Sequence, residues 1–117
     1  MERGAGRSVV VIGDDDLSEE TVRALEASGD EVSHLREPDA AEVRGALEAN
    51  RVESVAVVGR ADVVVLRHAL TVRSVSDEVP LLLTIFDPTM AEQMRDRLGH
   101  TRVTSLADIV EIGRAHV

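Results

Sequence analysis

The chain contains no lysine; all thirteen of its basic residues are arginines. A P-loop NTPase is thereby excluded, because that site needs a lysine to reach the nucleotide phosphates. Cysteine is also missing, so there is neither a disulfide framework nor thiol chemistry, as fits a cytosolic protein. Tryptophan and tyrosine are absent and Phe86 is the only aromatic residue, which leaves the core to valine, leucine, isoleucine and alanine. Positive charge is scarce: acids outnumber bases 22 to 13 and the formal net charge is −9. A surface for nucleic acid needs clustered cations, so none is expected. No apolar run has membrane length and no signal-peptide core opens the chain, so direct membrane insertion is not expected and a cytoplasmic location is.

What is present is enough for one domain. The 117 residues are 44% apolar, sufficient for a single core and too few for two. Residues 1–7, with two glycines and two arginines, are expected to be a flexible lead-in. The domain is expected over residues 8–110. Residues 111–117 are expected to be a non-native tail, since Ile112–Val117 (IGRAHV) matches the translation of a common sequencing adapter. On that reading the natural chain continues past Val110, and His116 carries no function.

Hydrophobic patterning predicts alternating strands and helices. Ser8–Ile12 ends in four β-branched residues in a row, the pattern of a parallel strand buried on both faces. Asp16 or Ser18 can cap the helix that follows, and Gly29 closes it. Glu31–Leu35 is a second strand, and polar Ser33 and His34 place it near the sheet edge. Pro38 breaks the chain, and Asp39 with Glu42 makes an acidic capping box for a helix ending near Asn50. Ser54–Val58 is a third strand. Asp62 can cap the next helix, which is apolar around much of its circumference and so should be buried on more than one side or meet a partner. Val79–Ile85 is a fourth strand, Asp87 and Pro88 open a helix that ends at Gly99, and Arg102–Ser105 is a short fifth strand. Strands alternating with helices at this spacing predict a Rossmann-like, doubly wound α/β fold: a five-stranded parallel sheet with helices on both faces and, given right-handed crossovers, the order 2-1-3-4-5.

The turn after the first strand, GDDDLS, stands where such folds hold a ligand. In the frame GxGxxG, Gly13 keeps the first glycine while Asp15 and Ser18 replace the other two. A carboxylate about 5 Å from a phosphate charge costs roughly 3 kcal/mol at an effective dielectric near 20, more than the ~1 kcal/mol a helix dipole returns. The acidic ribose ligand at the end of the second strand is missing too, since Arg36 or Glu37 falls there. These residues argue against ordinary NAD binding. Asp14, Asp15 and Asp16, with Asp62 and Asp87 from neighbouring strand ends, could instead collect around Mg²⁺ or Ca²⁺. The plainer reading makes Asp62 and Asp87 helix caps and the triple acid a solvated turn.

The acidic pair after the first strand also resembles the phosphorylation-receiver domains of two-component signalling. Those domains carry an aspartate at the end of the third strand, where this chain has Gly59, and a lysine after the fifth, so phosphotransfer of that type is not expected. His34, His68 and His100 sit on separate elements without metal-ligand spacing and are expected at the surface or boundary. No G-x-S-x-G supports a nucleophilic serine. Met90 and Met94 share a helix face, in the core or at a contact.

Over most of the chain, VVVIGDDDLSEETVRAL, VESVAVVGRADVVVLRHAL and LLLTIFDPTMAEQMRDRLGHTRVTSLADI resemble the N-terminal nucleotide-binding subdomain of the RCK/KTN domains that regulate potassium channels and Trk-type uptake systems. One helix and strand of that family's 3-2-1-4-5-6 sheet would have to be deleted. The resemblance implies a non-enzymatic regulatory domain that forms homo-oligomers and gates a membrane pore subunit or pore domain. It puts Gly13, Asp14, Asp15 and Ser18 in the phosphate loop, Arg36 at the ribose and Gly59 with Asp62 in the loop facing the nucleotide. Two alternatives stay open: a nucleotide-binding sensor or enzyme at the carboxyl edge of the sheet, and a divalent-cation sensor at Asp14, Asp15, Asp16 and Asp87.

Overall fold

A computed structural model of the chain describes residues 6–49, 51–98 and 100–103. Five parallel strands, β1 (Ser8–Ile12), β2 (Glu31–Leu35), β3 (Ser54–Val57), β4 (Leu81–Leu83) and β5 (Thr101–Val103), form one sheet in the order β2-β1-β3-β4-β5. Four helices connect them: α1 (Asp16–Ala27), α2 (Ala40–Ala49), α3 (Asp62–Val75) and α4 (Pro88–Arg97). The expected order, parallel pairing and helix-strand alternation are all present.

The sheet is covered on both sides because its strand residues alternate between faces. Val10, Ile12, Val55, Val57, Leu81 and Leu83 pack with Val43 of α2, Val65, Ala69 and Val72 of α3, and Met94 of α4. Val9, Val11, Ala56, Val58 and Leu82 form the opposite face with Leu25 of α1. Each fully buried valine or leucine contributes about 1.5–3 kcal/mol relative to exposure, so β1 and β3, apolar on both sides, are the centre of the fold. Strand β2 lies at the edge and is only half-buried, as its serine and histidine require.

Local sequence sets the ends of the elements. Asp39 and Glu42 exchange the expected reciprocal bonds, each carboxylate taking the other residue's amide at 2.8–3.0 Å. Gly29, at φ 95°, ends α1 in a conformation that an L side chain resists. Asp87 caps α4 by accepting from the Thr89 and Met90 amides, with Pro88 in the first turn. Arg7, which the sequence leaves in the lead-in, is tied to Asp30: its amide and guanidinium donate to the two carboxylate oxygens at 3.0 Å, with the Asp30 carboxylate buried and Arg7 half-buried.

Other expectations shift. The cap of α1 is Asp15, one residue before Asp16. Strand β4 is shorter than Val79–Ile85, since Pro80 has no amide to donate and Thr84 turns its hydroxyl to a neighbouring loop. His68 is buried in α3 and not at a boundary. Met94 is in the core and Met90 packs against it. Gly99, Ser105 and the tail 111–117 lie outside the described residues.

Candidate functional site

The carboxyl ends of β1, β3 and β4 and the turns that follow them form the edge where an open α/β sheet places a ligand. The candidate ligand residues, except Arg36 just past β2, lie in these turns or in the first turn of the helix that follows, and each is engaged with the chain itself.

Gly13 leaves β1 with its amide donating to the Leu35 carbonyl at 3.0 Å and its own carbonyl accepting from His34 Nε2 at 2.9 Å. A Cβ at this position would run into the Val58 carbonyl oxygen and the Ser18 side chain. The glycine is therefore needed for contact between β1, β3 and α1, without any phosphate.

Asp15 is the most committed of the three acids. Its Oδ1 accepts from the Ser18 amide at 3.1 Å while the Asp15 amide donates to Ser18 Oγ at 3.0 Å, a closed capping box. Its Oδ2 accepts from the Arg60 amide at 2.9 Å, tying the turn after β1 to the turn after β3. Asp16 faces outward and takes two bonds from the Arg60 guanidinium, both 2.9 Å. That hydrogen bonding holds the Asp16 carboxyl below the usual carboxylate range and raises the arginine. Asp14 is exposed, 3.6 Å from Arg36, which pairs more closely with Glu19 at 2.9 Å; Glu19 raises the Arg36 guanidinium in turn.

Beyond β3, the Gly59 amide donates to Thr84 Oγ1 at 3.2 Å, and a Cβ on Gly59 would stand 3.5 Å from Asp15 Oδ2. Asp62 does not cap α3. The N-cap is Ala61, without a side-chain bond, and the Asp62 carboxylate instead accepts from the amides of Phe86 and Asp87 in the turn after β4, both at 2.9 Å.

The arrangement thus joins Asp15 and Asp16 to Arg60, and Asp62 to the backbone of Asp87, while Asp14 pairs separately with Arg36. Among the described residues no group of three or more histidine, cysteine, aspartate or glutamate side chains is placed to hold a metal ion. Sequence reasoning missed Arg60, Thr84 and the Phe86 amide. Thr84 gave one signal, a hydroxyl directly after three consecutive leucines, but Arg60 gave none.

No family model and no curated protein matches this chain. Solved structures do. A two-component response regulator from Clostridium difficile superposes with a TM-score of 0.62 at 13% identity, covering 94% of each chain. The receiver domain of a sensor histidine kinase from Pseudomonas aeruginosa PAO1, with a magnesium ion in its active-site cleft, gives 0.59 at 12% identity over 94% of this chain and 96% of that one. A response regulator from Burkholderia multivorans gives 0.55 at 17% identity and 93% of each. At such identities the likeness establishes the fold.

A magnesium ion of the kind held by the Pseudomonas receiver does not fit the residues of this edge. Both Asp15 oxygens already accept backbone amides, Asp16 is turned to Arg60, and Gly59 offers no carboxylate. The comparisons also correct the family resemblance. The matched structures are receivers with this five-strand order, not six-stranded RCK/KTN domains, so the potassium-channel reading, with its gating role and pore partner, is withdrawn. The nucleotide-sensor and cation-sensor alternatives gain no support from these matches either. Among the described residues no helix is long and apolar enough to cross a membrane. The fold is a flavodoxin-like, doubly wound sheet in the order 2-1-3-4-5, similar to that of these receiver structures.

Proposed function

We propose that this chain is a receiver-like signalling module of the cytoplasm that works through protein contact and not by accepting a phosphoryl group. One observation carries the reading: where the turn after β3 faces Asp15, the residue is Gly59, and the carboxylate oxygen that approaches it, Asp15 Oδ2, is already bonded to the Arg60 amide, as Asp16 is to the Arg60 guanidinium. No nucleophilic carboxylate is free there to attack a phosphoryl donor. The chain also has no lysine to balance charge on a phosphoryl oxygen. With no chemistry of its own at this edge, the module acts as a shape presented to a partner. Among the described residues, Val63 and Leu70 on the outer face of α3 and Phe86 after β4 are the large apolar side chains left exposed, and they supply the contact surface.

The test is intact-mass spectrometry after incubation with acetyl phosphate and Mg²⁺, beside a phosphorylatable receiver as positive control. The expected spectrum of this chain is unchanged while the control gains one phosphoryl group. A stoichiometric, hydroxylamine-labile adduct on this chain would overturn the reading.

A further inference from the structure

Four backbone amides line the turns after β3 and β4, and each is taken by a side-chain oxygen of the chain itself: Gly59 by Thr84 Oγ1, Arg60 by Asp15 Oδ2, Phe86 by Asp62 Oδ1 and Asp87 by Asp62 Oδ2. The last two differ from the others. One carboxylate spans two consecutive amides of a turn 24 and 25 residues away, although it stands in the first turn of α3, where a carboxylate ordinarily serves its own helix. Ala61 leaves that helix without a side-chain cap, so the local gain is forgone for the long-range contact.

Packing does little to hold the turn that Asp62 grips. Phe86 is 62% exposed and Asp87 and Pro88 are exposed as well. The turn nevertheless sets where α4 begins, because Asp87 is the cap of that helix. The same contact joins the two segments that carry exposed apolar side chains, Val63 next to Asp62 and Phe86 as its donor.

We infer that Asp62 is a built-in latch: its carboxylate presets the turn between β4 and α4, and with it the relative position of Val63 and Phe86, so that no external ligand is needed to order this face. The inference rests on the reading above, in which the edge accepts no phosphoryl group. A switch governed by a bound anion would leave these amides open until the anion arrived. Here they are closed from within, and the face is held in one state.

Amide hydrogen exchange on the intact chain, read residue by residue by NMR, tests the latch. In Asp62→Ala the Phe86 and Asp87 amides should exchange roughly tenfold faster or more, since a charged acceptor has been removed from a locally exposed turn, while core amides such as those of Val11 and Val57 keep their protection. Sodium formate, a small carboxylate, should slow both amides again in the variant and change neither in the wild type. Asp62→Asn, closer in shape, should protect one of the two amides and free the other. Unchanged exchange at Phe86 and Asp87 in both variants would overturn the latch. So would formate protection of the wild type, because the cradle would then be open. The acetyl phosphate experiment is independent: an adduct there would refute the phosphoryl-free reading while the exchange data still report whether Asp62 holds the turn.

Discussion

Replacing Asp15 with alanine should be among the most damaging single changes at the carboxyl edge, and its cost can be built from the bonds it breaks. The Oδ1 bond to the Ser18 amide is a helix cap, whose loss costs about 1 kcal/mol. The Oδ2 bond to the Arg60 amide is charge-assisted and bridges two turns 45 residues apart; such bonds contribute about 1.5–3 kcal/mol. Arg60 lies at the surface, so water recovers part of the second loss, and a total of about 2–3 kcal/mol is expected. For a domain of this size that lowers the melting temperature by on the order of 10–20 °C. Asp15→Ser separates the two contributions, because serine can still cap α1 but its single short hydroxyl cannot also reach Arg60; it should lose only about half as much. Urea unfolding followed by far-UV circular dichroism measures both variants. The reasoning fails if Asp15→Ala lies within about 0.5 kcal/mol of the wild type, or if Asp15→Ser is as damaging as alanine.

Three further substitutions follow from the same structure. Asp30→Ala removes the buried partner of a half-buried Arg7 guanidinium and should cost about 1–2 kcal/mol, since charge-assisted bonds are lost but the arginine can still reach water; an unchanged urea midpoint would contradict this. Gly59→Asp would place its Cβ in ordinary contact with Val65 Cγ2 and Asp15 Oδ2 but would set a second carboxylate beside Asp15 at a buried position, and should destabilise by about 2–4 kcal/mol through like-charge repulsion; unaltered stability would show that the site tolerates a second acid. His68 is buried with Nε2 unpartnered, and desolvation, aided by Arg67 and opposed by Glu37, holds its imidazole below the ordinary value. The unfolded chain therefore binds the proton first, so stability should fall as pH drops below about 6.5. His68→Leu should flatten that slope in thermal melts between pH 7 and 5, and an undiminished slope would assign it to other groups.

The sheet order was legible because its cause is local and repeated: runs such as Val9–Ile12 and Leu81–Leu83, short and bounded by turn residues, read as buried strands, and the capping residues Asp39, Glu42 and Asp87 act within three positions of themselves. The site was much less legible. An aspartate before an apolar helical run, as at Asp62, has the pattern of an N-cap, yet its carboxylate reaches a turn 24 residues away, a contact that no local pattern encodes. Three successive aspartates blur the cap: the sequence offers Asp16 or Ser18, whereas Asp15 takes the position, paired reciprocally with Ser18 and bonded also to the Arg60 amide. His68 follows the helical period of Val65 and Val72 into the core, but a polar side chain hides that period.

The family resemblance went astray for a related reason. A β-branched strand, a glycine and a capped helix open both six-stranded dinucleotide folds and five-stranded receivers, because the same crossover geometry demands them. What separates the two is the number of strands before the switch point, and here β1 has β2 alone on its outer side. The five-strand order is complete as it stands, so no deleted strand and helix are needed to account for it.

The central claim is that the carboxyl edge of this receiver fold is satisfied from within. Its most direct test is a ¹H–¹⁵N NMR titration of the wild-type chain with Mg²⁺ and beryllofluoride, an analogue of a phosphoryl group on a carboxylate. The account predicts that the amides of Gly59, Arg60, Phe86 and Asp87 stay in place at saturating concentrations of both. Saturable shifts confined to those four amides would contradict it.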